Sequence, residues 1–363
     1  MAGILFVDTQ SKSVLAGFHP KLNRLSGFGG KSQGEESAAQ TAVREVSEEL
    51  FGVFNLAPEH INAFAEELYK LGKKDATICI VVADISPAGS VTKFREEFPH
   101  RFINTGVAEQ SMIGIAAGLA SQGLKPFCYT IATFSLFRPF EMIRVDLCYQ
   151  KLPVTVVGMG AGVVYSTLGG THHAIEDIAV ACALPNMTVL APCDPLEVSS
   201  LTKWCAENNN GPVYLRIGKS GEPNFTEDAL EPLVQGKLRY LKKGKDTAII
   251  SYGTSMKIAM EVYDCLNGEK LSVSLLSCHT LKPLDEIGIQ EVLEKYKRVI
   301  VIEEAVSHGG LGSKVKEIAW NSRSLSTVET FSLKDEFIHL YGSYEDLLSA
   351  HELLSAQILT KLK

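Results

Sequence analysis

Short, unbroken apolar runs recur along the chain. Ile78–Ala83 (ICIVVA) follows the charged stretch Lys70–Asp75, and Leu152–Met159 (LPVTVVGM) and Met187–Ala191 (MTVLA) have the same character. So do Thr247–Ser251 (TAIIS), Leu271–Leu276 (LSVSLL) and Arg298–Ile302 (RVIVI). Runs of this length, rich in Val and Ile, predict strands buried on both faces of a parallel sheet. Between them lie helical spacings. Ser111–Gln122 carries Met112, Ile115, Ala116 and Leu119 on one face, and Ser255–Leu266 and Ile287–Tyr296 read the same way. Strand and helix in alternation predict doubly wound α/β domains. Two breaks interrupt the pattern. One is Leu56–His60 (LAPEH). The other is Gly218–Lys245, rich in Gly, Pro and charge, which predicts a linker between an α/β domain ending near Ile217 and a second beginning near Asp246.

Composition adds little to the fold but excludes several classes. With 363 residues, and about 100–200 per domain, two or three domains are expected. A chain 45% hydrophobic and 21% charged is an ordinary globular protein. The net charge of −7, with no basic run carrying interleaved aromatics, argues against a general nucleic-acid surface. The eight cysteines form no C-x-x-C pair and sit in apolar or helical stretches, which fits a reduced, cytoplasmic setting. MAGILFVDTQ lacks a basic region followed by a long apolar stretch, so no signal peptide is expected. No apolar run reaches the roughly 18 residues of a membrane span.

Residues 30–53 read GKSQGEESAAQTAVREVSEELFGV. On a helix Glu45, Glu48 and Glu49 share a face. Three clustered carboxylates repel one another unless a hard cation such as Mg²⁺ neutralises them. The segment resembles the Nudix box of pyrophosphohydrolases. It departs from that pattern by placing two residues, Leu50 and Phe51, between the last Glu pair and the glycine, where the pattern has one. A different pattern takes over near residue 60, leaving no room for the rest of such a fold. The plainer reading is a solvated acidic helix on a fused or truncated fragment.

Seven segments carry a stronger signal. They are FINTGVAEQSMIGIAAGLA (102–120), TFSLFRPFEMIR (133–144), LGGTHHAIEDIAV (168–180), LPNMTVLAPCDPLE (184–197), LRIGKSG (215–221), LKPLD (281–285) and VIEEAVSHGGLGS (301–313). Together and in this order they resemble the C-terminal portion of transketolases, most closely the separately encoded C-terminal subunits of split transketolases. The resemblance covers the chain from about residue 60 onward. It implies a pyrimidine-binding, doubly wound parallel-sheet domain at 59–225 for the cofactor thiamine diphosphate. A linker at 226–239 and a transketolase C-terminal α/β domain at 240–363, serving mainly dimer contacts, would follow. Residues 1–58 would be the Nudix-like fragment.

Read from the residues alone, Glu109 is a carboxyl in an apolar neighbourhood at a helix start, where the helix dipole would suit it. The resemblance makes it the acid that hydrogen-bonds a pyrimidine ring nitrogen of the cofactor. That favours the imino tautomer, which then removes the thiazolium proton, and the step calls for a carboxyl tuned by its surroundings. Phe134, Phe137 and Phe140 recur at every third position, a spacing usual in a core. The resemblance makes them candidates for the wall against the pyrimidine ring, with Arg138-Pro139 giving the loop its own geometry. His172 and His173, after two glycines, are implied to touch substrate oxygens, with His172 also helping proton transfer. Arg216 corresponds to an arginine that contacts substrate phosphate, but an arginine at a strand end equally suits an ion pair. His308 and Gly309, Gly310 and Gly312 are expected to shape a turn. Two departures, Leu168 in place of an Asp and Gly160 in place of a phosphate-contacting His, leave a phosphorylated sugar substrate open.

The Gly-Asp-Gly that grips Mg²⁺ and the diphosphate in full-length enzymes is absent from this sequence. A partner of the transketolase N-terminal type is therefore expected, in an α2β2 assembly or around a homodimer core, with the cofactor at subunit boundaries. The expected reaction is transfer of a two-carbon ketol unit between sugars. The alternatives are a 1-deoxyxylulose-5-phosphate synthase-like enzyme, a 2-oxoacid dehydrogenase beta-type subunit, a Nudix hydrolase acting through residues 30–53, or an inactive module.

Overall fold

The computed structural model describes residues 63–84, 91–219, 223–269 and 271–362, together with the backbone of four short strands before them. Those strands pair locally, Phe6–Asp8 with Ser13–Leu15 and Phe18–His19 with Arg24–Leu25, both antiparallel. The Nudix-like segment with Glu45, Glu48 and Glu49 lies outside the described residues. All elements below belong to one unit, His60–Ile85 with Ser90–Lys363.

The first half of this unit supplies strands β1 (Ile78–Val82), β2 (Phe102–Asn104), β3 (Lys125–Ile131), β4 (Thr155–Met159), β5 (Thr188–Leu190) and β6 (Val213–Ile217). The second half supplies β7 (Arg239–Lys242), β8 (Thr247–Ser251), β9 (Val273–Ser277), β10 (Thr280–Lys282), β11 (Arg298–Val306) and β12 (Thr327–Leu333). Two sheets result, with strand orders β10-β5-β6-β4-β3-β1-β2 and β7-β9-β8-β11-β12. Each is parallel except at one edge, where β10 and β7 run antiparallel to their neighbours. Strand β10 belongs by sequence to the second half yet closes the edge of the first sheet.

The apolar runs have no alternation because both faces of each sheet are covered. Val81, Cys128 and Val156 face one core, while Ile80, Val82, Phe127, Tyr129 and Val157 face another. The first of these cores continues onto Ala248, Ile250, Val299 and Val301 of the second sheet, so the two halves share it. Helix α1 (Ala63–Lys74) covers one face with Phe64, Ala65 and Leu68. Helix α2 (Glu109–Ser121) covers the other, with Met112, Ala116 and Leu119 of the expected face on the core and Ile115 turned out of it. Met112, Ile113, Ala116, Ala117 and Ala120 are buried, and Ile115 is 39% exposed. Small alanines allow α2 a close approach to the sheet, so a narrower face suffices.

Two boundary expectations change. Arg239–Lys242 is a strand inside the stretch read as a linker, and its antiparallel edge position buries only Leu241 fully, so no apolar run marks it. Strand β3 (KPFCYTI) escapes the pattern because Lys125 and Pro126 open it and Thr130 interrupts it. Among the described residues no helix is long and apolar enough to cross a membrane.

Strand β11 carries two buried carboxylates that serve different structures. Glu303 accepts hydrogen bonds from the Leu311 and Gly312 backbone N–H groups at 2.7 and 2.9 Å, capping helix α3 (Leu311–Asn321). The glycines of SHGGLGS make room for it, since a Cβ on Gly310 would stand 2.5 Å from Glu303 Oε2. Burial outweighs these donors and pushes the Glu303 carboxyl from 4.5 up to about 7. Between these values the folded chain holds a proton that the unfolded chain releases. Stability is therefore greatest below the lower value and falls as pH rises through the upper one. Denaturant unfolding of wild type and Glu303→Gln across pH 4–8 is expected to differ by this slope, the variant being flatter.

Candidate active site at Glu109 and the histidine loop

The loop after β2 delivers Glu109. Asn104 Oδ1 accepts from Gly106 N–H at 2.9 Å and from Asp84 N–H at 3.1 Å, and the Thr105 hydroxyl donates to the Val82 carbonyl at 3.1 Å. Gly106, at φ +69°, turns the chain into α2, whose first residue is Glu109. Glu109 is only 3% exposed. Its partner is Arg138, whose Nη1 donates to Glu109 Oε1 at 2.7 Å.

Arg138 is supplied by the phenylalanine segment. The backbone is helical over Ala132–Leu136 and resumes at Phe140–Met142, with Arg138-Pro139 between. Phe134 and Phe137 precede this break and Phe140 follows it. Phe137 and Phe140 pack against the core that contains Met112 and Leu147. Phe134 faces the site, with the Arg138 guanidinium carbon 3.9 Å from its ring centre. Its other neighbour is His172, whose ring meets it edge-on at 5.1 Å and 69°.

The histidines stand on a closed loop. Gly162 and Ala174 exchange backbone hydrogen bonds of 3.0 and 2.9 Å, pinching off the residues between them. Within it His172 N–H donates to the Gly169 carbonyl at 2.9 Å, with Gly169 at φ +74°. His172 Nδ1 lies 2.9 Å from the Thr171 hydroxyl. Burial, then His173 and Arg138, hold the His172 imidazole below its ordinary 6.5. His173 is 5% exposed, and its Nε2 has no hydrogen-bond partner among the described residues. Tyr165 flanks His172 at 6.2 Å, and Lys219 Nζ stands 5.4 Å from the Tyr165 ring. Gly160 is explained by the same tyrosine. At φ +67° its Cβ would fall 2.1 Å from Tyr165 Cε2, so the Tyr165 ring fills the space a side chain at 160 would take.

Of the two roles left open for Arg216, its surroundings suit the ion pair. It is fully buried. Its Nε donates to Asp177 Oδ2 at 2.9 Å and its Nη2 to the Glu304 carbonyl at 2.8 Å. Tyr214 donates to the same carboxylate oxygen at 2.8 Å. Glu304 in turn accepts from Val163 N–H at 2.8 Å, beside the pinched loop, and from Tyr344 at 2.6 Å. Arg216 thus ties the second sheet to the base of the histidine loop.

Glu109, Phe134 and His172 are therefore brought together, with Arg138 at their centre, while Phe137, Phe140 and Arg216 are directed elsewhere. Arg138 is the site residue least visible in the sequence, since its partner Glu109 lies 29 positions earlier.

Residues 57–222 match the family described as "Transketolase, pyrimidine binding domain", and residues 236–358 match "Transketolase, C-terminal domain". Over 291 residues the chain is 32% identical to one subunit of the apulose-4-phosphate transketolase of Phocaeicola vulgatus, spanning 80% of this chain and 92% of that one. The chain belongs to the transketolase family. It is also 32% identical over 310 residues to a 1-deoxy-D-xylulose-5-phosphate synthase of a Geobacillus species, covering 85% of this chain but 49% of that longer protein. Among solved structures, one described as "Split gene transketolase, inactive beta4 tetramer" superposes with a TM-score of 0.74 at 33% identity, covering 82% of this chain and 95% of that one.

Transketolase-family domains imply use of thiamine diphosphate, and the residues present fit one end of it. Phe134 offers a flat face that already carries a planar cation, and Glu109 beside it offers a carboxylate that already takes an N–H donor. A flat heterocycle with a protonated ring nitrogen suits both. For the other end, no group of three or more His, Cys, Asp or Glu able to hold a metal occurs among the described residues.

Proposed function

We propose that this chain is the pyrimidine-binding and C-terminal subunit of a thiamine-diphosphate enzyme that transfers a two-carbon ketol unit between sugars. The observation that carries this reading is Glu109, a buried carboxylate opening a helix beside the Phe134 ring. Glu109 hydrogen-bonds the aminopyrimidine and sets its proton distribution. Phe134 supplies the wall for the ring. The cofactor, when bound, supplies the carbon nucleophile and electron sink. His172, with Nδ1 engaged by Thr171, turns Nε2 to substrate oxygens and moves a proton there. His173 backs the loop from its buried position. Arg216 holds the frame.

The diphosphate and Mg²⁺ are assigned to a second subunit of the transketolase N-terminal type, in an α2β2 assembly. The relatives described as a single transketolase subunit and as a split-gene transketolase support this division, as does the description of the latter's β4 form as inactive. Calorimetry tests it directly. Thiamine diphosphate with Mg²⁺ is expected to bind tightly only to the mixture of both subunits. Absence of binding by a folded, associated pair would overturn the proposal.

A second reading is favoured by the similarity to 1-deoxy-D-xylulose-5-phosphate synthase. Pyruvate consumption in place of ketose consumption would select it. Under either reading, His172→Asn is expected to lower kcat/KM by about 10²-fold or more while leaving cofactor affinity unchanged. Because burial depresses the His172 pKa, the acidic limb of the wild-type kcat/KM profile that this residue causes should fall below 6.5 and vanish in the variant.

A further inference from the structure

Arg138 combines three properties that bear on its role. It is 44% exposed, while its partner Glu109 is 5% exposed at the side chain. It lies close enough over Phe134 to place its guanidinium carbon 3.9 Å from the ring centre. It donates through Nη1 to Glu109 at 2.7 Å. A planar, nitrogen-bearing cation that faces an aromatic ring and donates to a carboxylate presents the same two contacts as an aminopyrimidine. The Pro139 break leaves Arg138 in a short link between two helical pieces, with its long side chain crossing to α2.

The geometry points to Arg138 as a built-in competitor: its guanidinium holds the Glu109–Phe134 site closed, and the cofactor's pyrimidine must displace it. This rests on the reading of Glu109 as the pyrimidine's partner. Both occupants need the carboxylate and the ring face, so they exclude one another. The displaced guanidinium stays beside His172, whose imidazole already feels its charge. Displacement therefore costs this subunit affinity for the pyrimidine by itself, and the grip of a second subunit on the diphosphate offsets that cost. If the closed form is about 90% populated, removing it raises apparent affinity about tenfold.

The test uses the intact chain with thiamine, which carries the pyrimidine but no diphosphate, followed by titration calorimetry and by NMR of arginine side-chain nitrogens. In wild type a slowly exchanging Arg138 guanidinium signal is expected, lost in Glu109→Gln and shifted to free arginine values as thiamine is added. Arg138→Met keeps apolar cover over Phe134 without the donor and should bind thiamine about tenfold more tightly than wild type. Arg138→Lys, which lacks the planar fork, should lie between them. Equal affinity in wild type and Arg138→Met, weaker binding by Arg138→Met, or no binding by either overturns the competition. So does a freely exchanging Arg138 in the wild-type spectrum. None of these outcomes touches the proposed function, which is tested separately by thiamine diphosphate binding to the two-subunit mixture.

Discussion

On the proposed function, replacing Glu109 with glutamine is expected to lower kcat of the proposed two-subunit enzyme by about 10²–10⁴-fold, the range set by loss of one positioned acid–base group. The substitution keeps the volume of the side chain at a position only 3% exposed, so packing along α2 is retained. What changes is the charge available to a ring nitrogen. A carboxylate fixes where the pyrimidine carries its proton, and an amide does not. Steady-state kinetics and thermal unfolding on the same preparation separate the roles. A helix-start residue of purely structural value would shift Tm and leave kcat alone. The expected result is the reverse, because glutamine leaves no buried charge at 109 and the part-exposed Arg138 can turn to water.

The second large effect is on stability. Arg216→Met is expected to cost about 3–5 kcal/mol, the usual penalty for removing one partner of a buried ion pair. Asp177 would keep only the Tyr214 hydroxyl, and the Glu304 carbonyl would lose its donor. Asp177 Oδ1 already has no hydrogen-bond partner among the described residues, so the uncompensated charge has little to fall back on. Urea unfolding reads the loss as a lower midpoint at unchanged slope. Arg216→Met with Asp177→Leu should recover much of it, since an apolar pair of similar volume leaves no orphaned charge. If Arg216 instead held a substrate anion, the single variant would raise KM for phosphorylated substrates and leave the midpoint nearly unmoved.

The sequence discloses the architecture where physics is local and obscures it where partners are distant. Runs such as TAIIS are unambiguous because burial on both faces leaves almost no polar position, and that strand spans Thr247–Ser251 as expected. Phe134, Phe137 and Phe140 are alike by spacing. Yet the first faces the site and the others pack against the core, a division that spacing alone does not announce. Arg216 sits in a fully buried strand, and its partner Asp177 lies 39 positions away, so no pattern near Arg216 announces the ion pair. Glu109 and His172 are legible through the segments around them, but their nearness to Arg138 is not, because two loops and a helix start must converge to produce it.

Strand β10 sets a rule for how this polypeptide can be divided. Thr280–Lys282 pairs with β5 at Leu190 and Val189, so the last strand of the first sheet is donated from beyond the second sheet's third strand. A protein cut between residues 217 and 239 would leave β5 with a bare row of amide and carbonyl groups, an open template for self-pairing. The other fragment would carry a three-residue strand with nothing to join. The shared core around Ile250 and Val301 would also be laid open. Separate genes, domain-by-domain expression and shuffling of the two halves between relatives would all meet this aggregation barrier at the same place. The pyrimidine-binding and C-terminal domains thus share both a sheet edge and a core, and a cut between them exposes both.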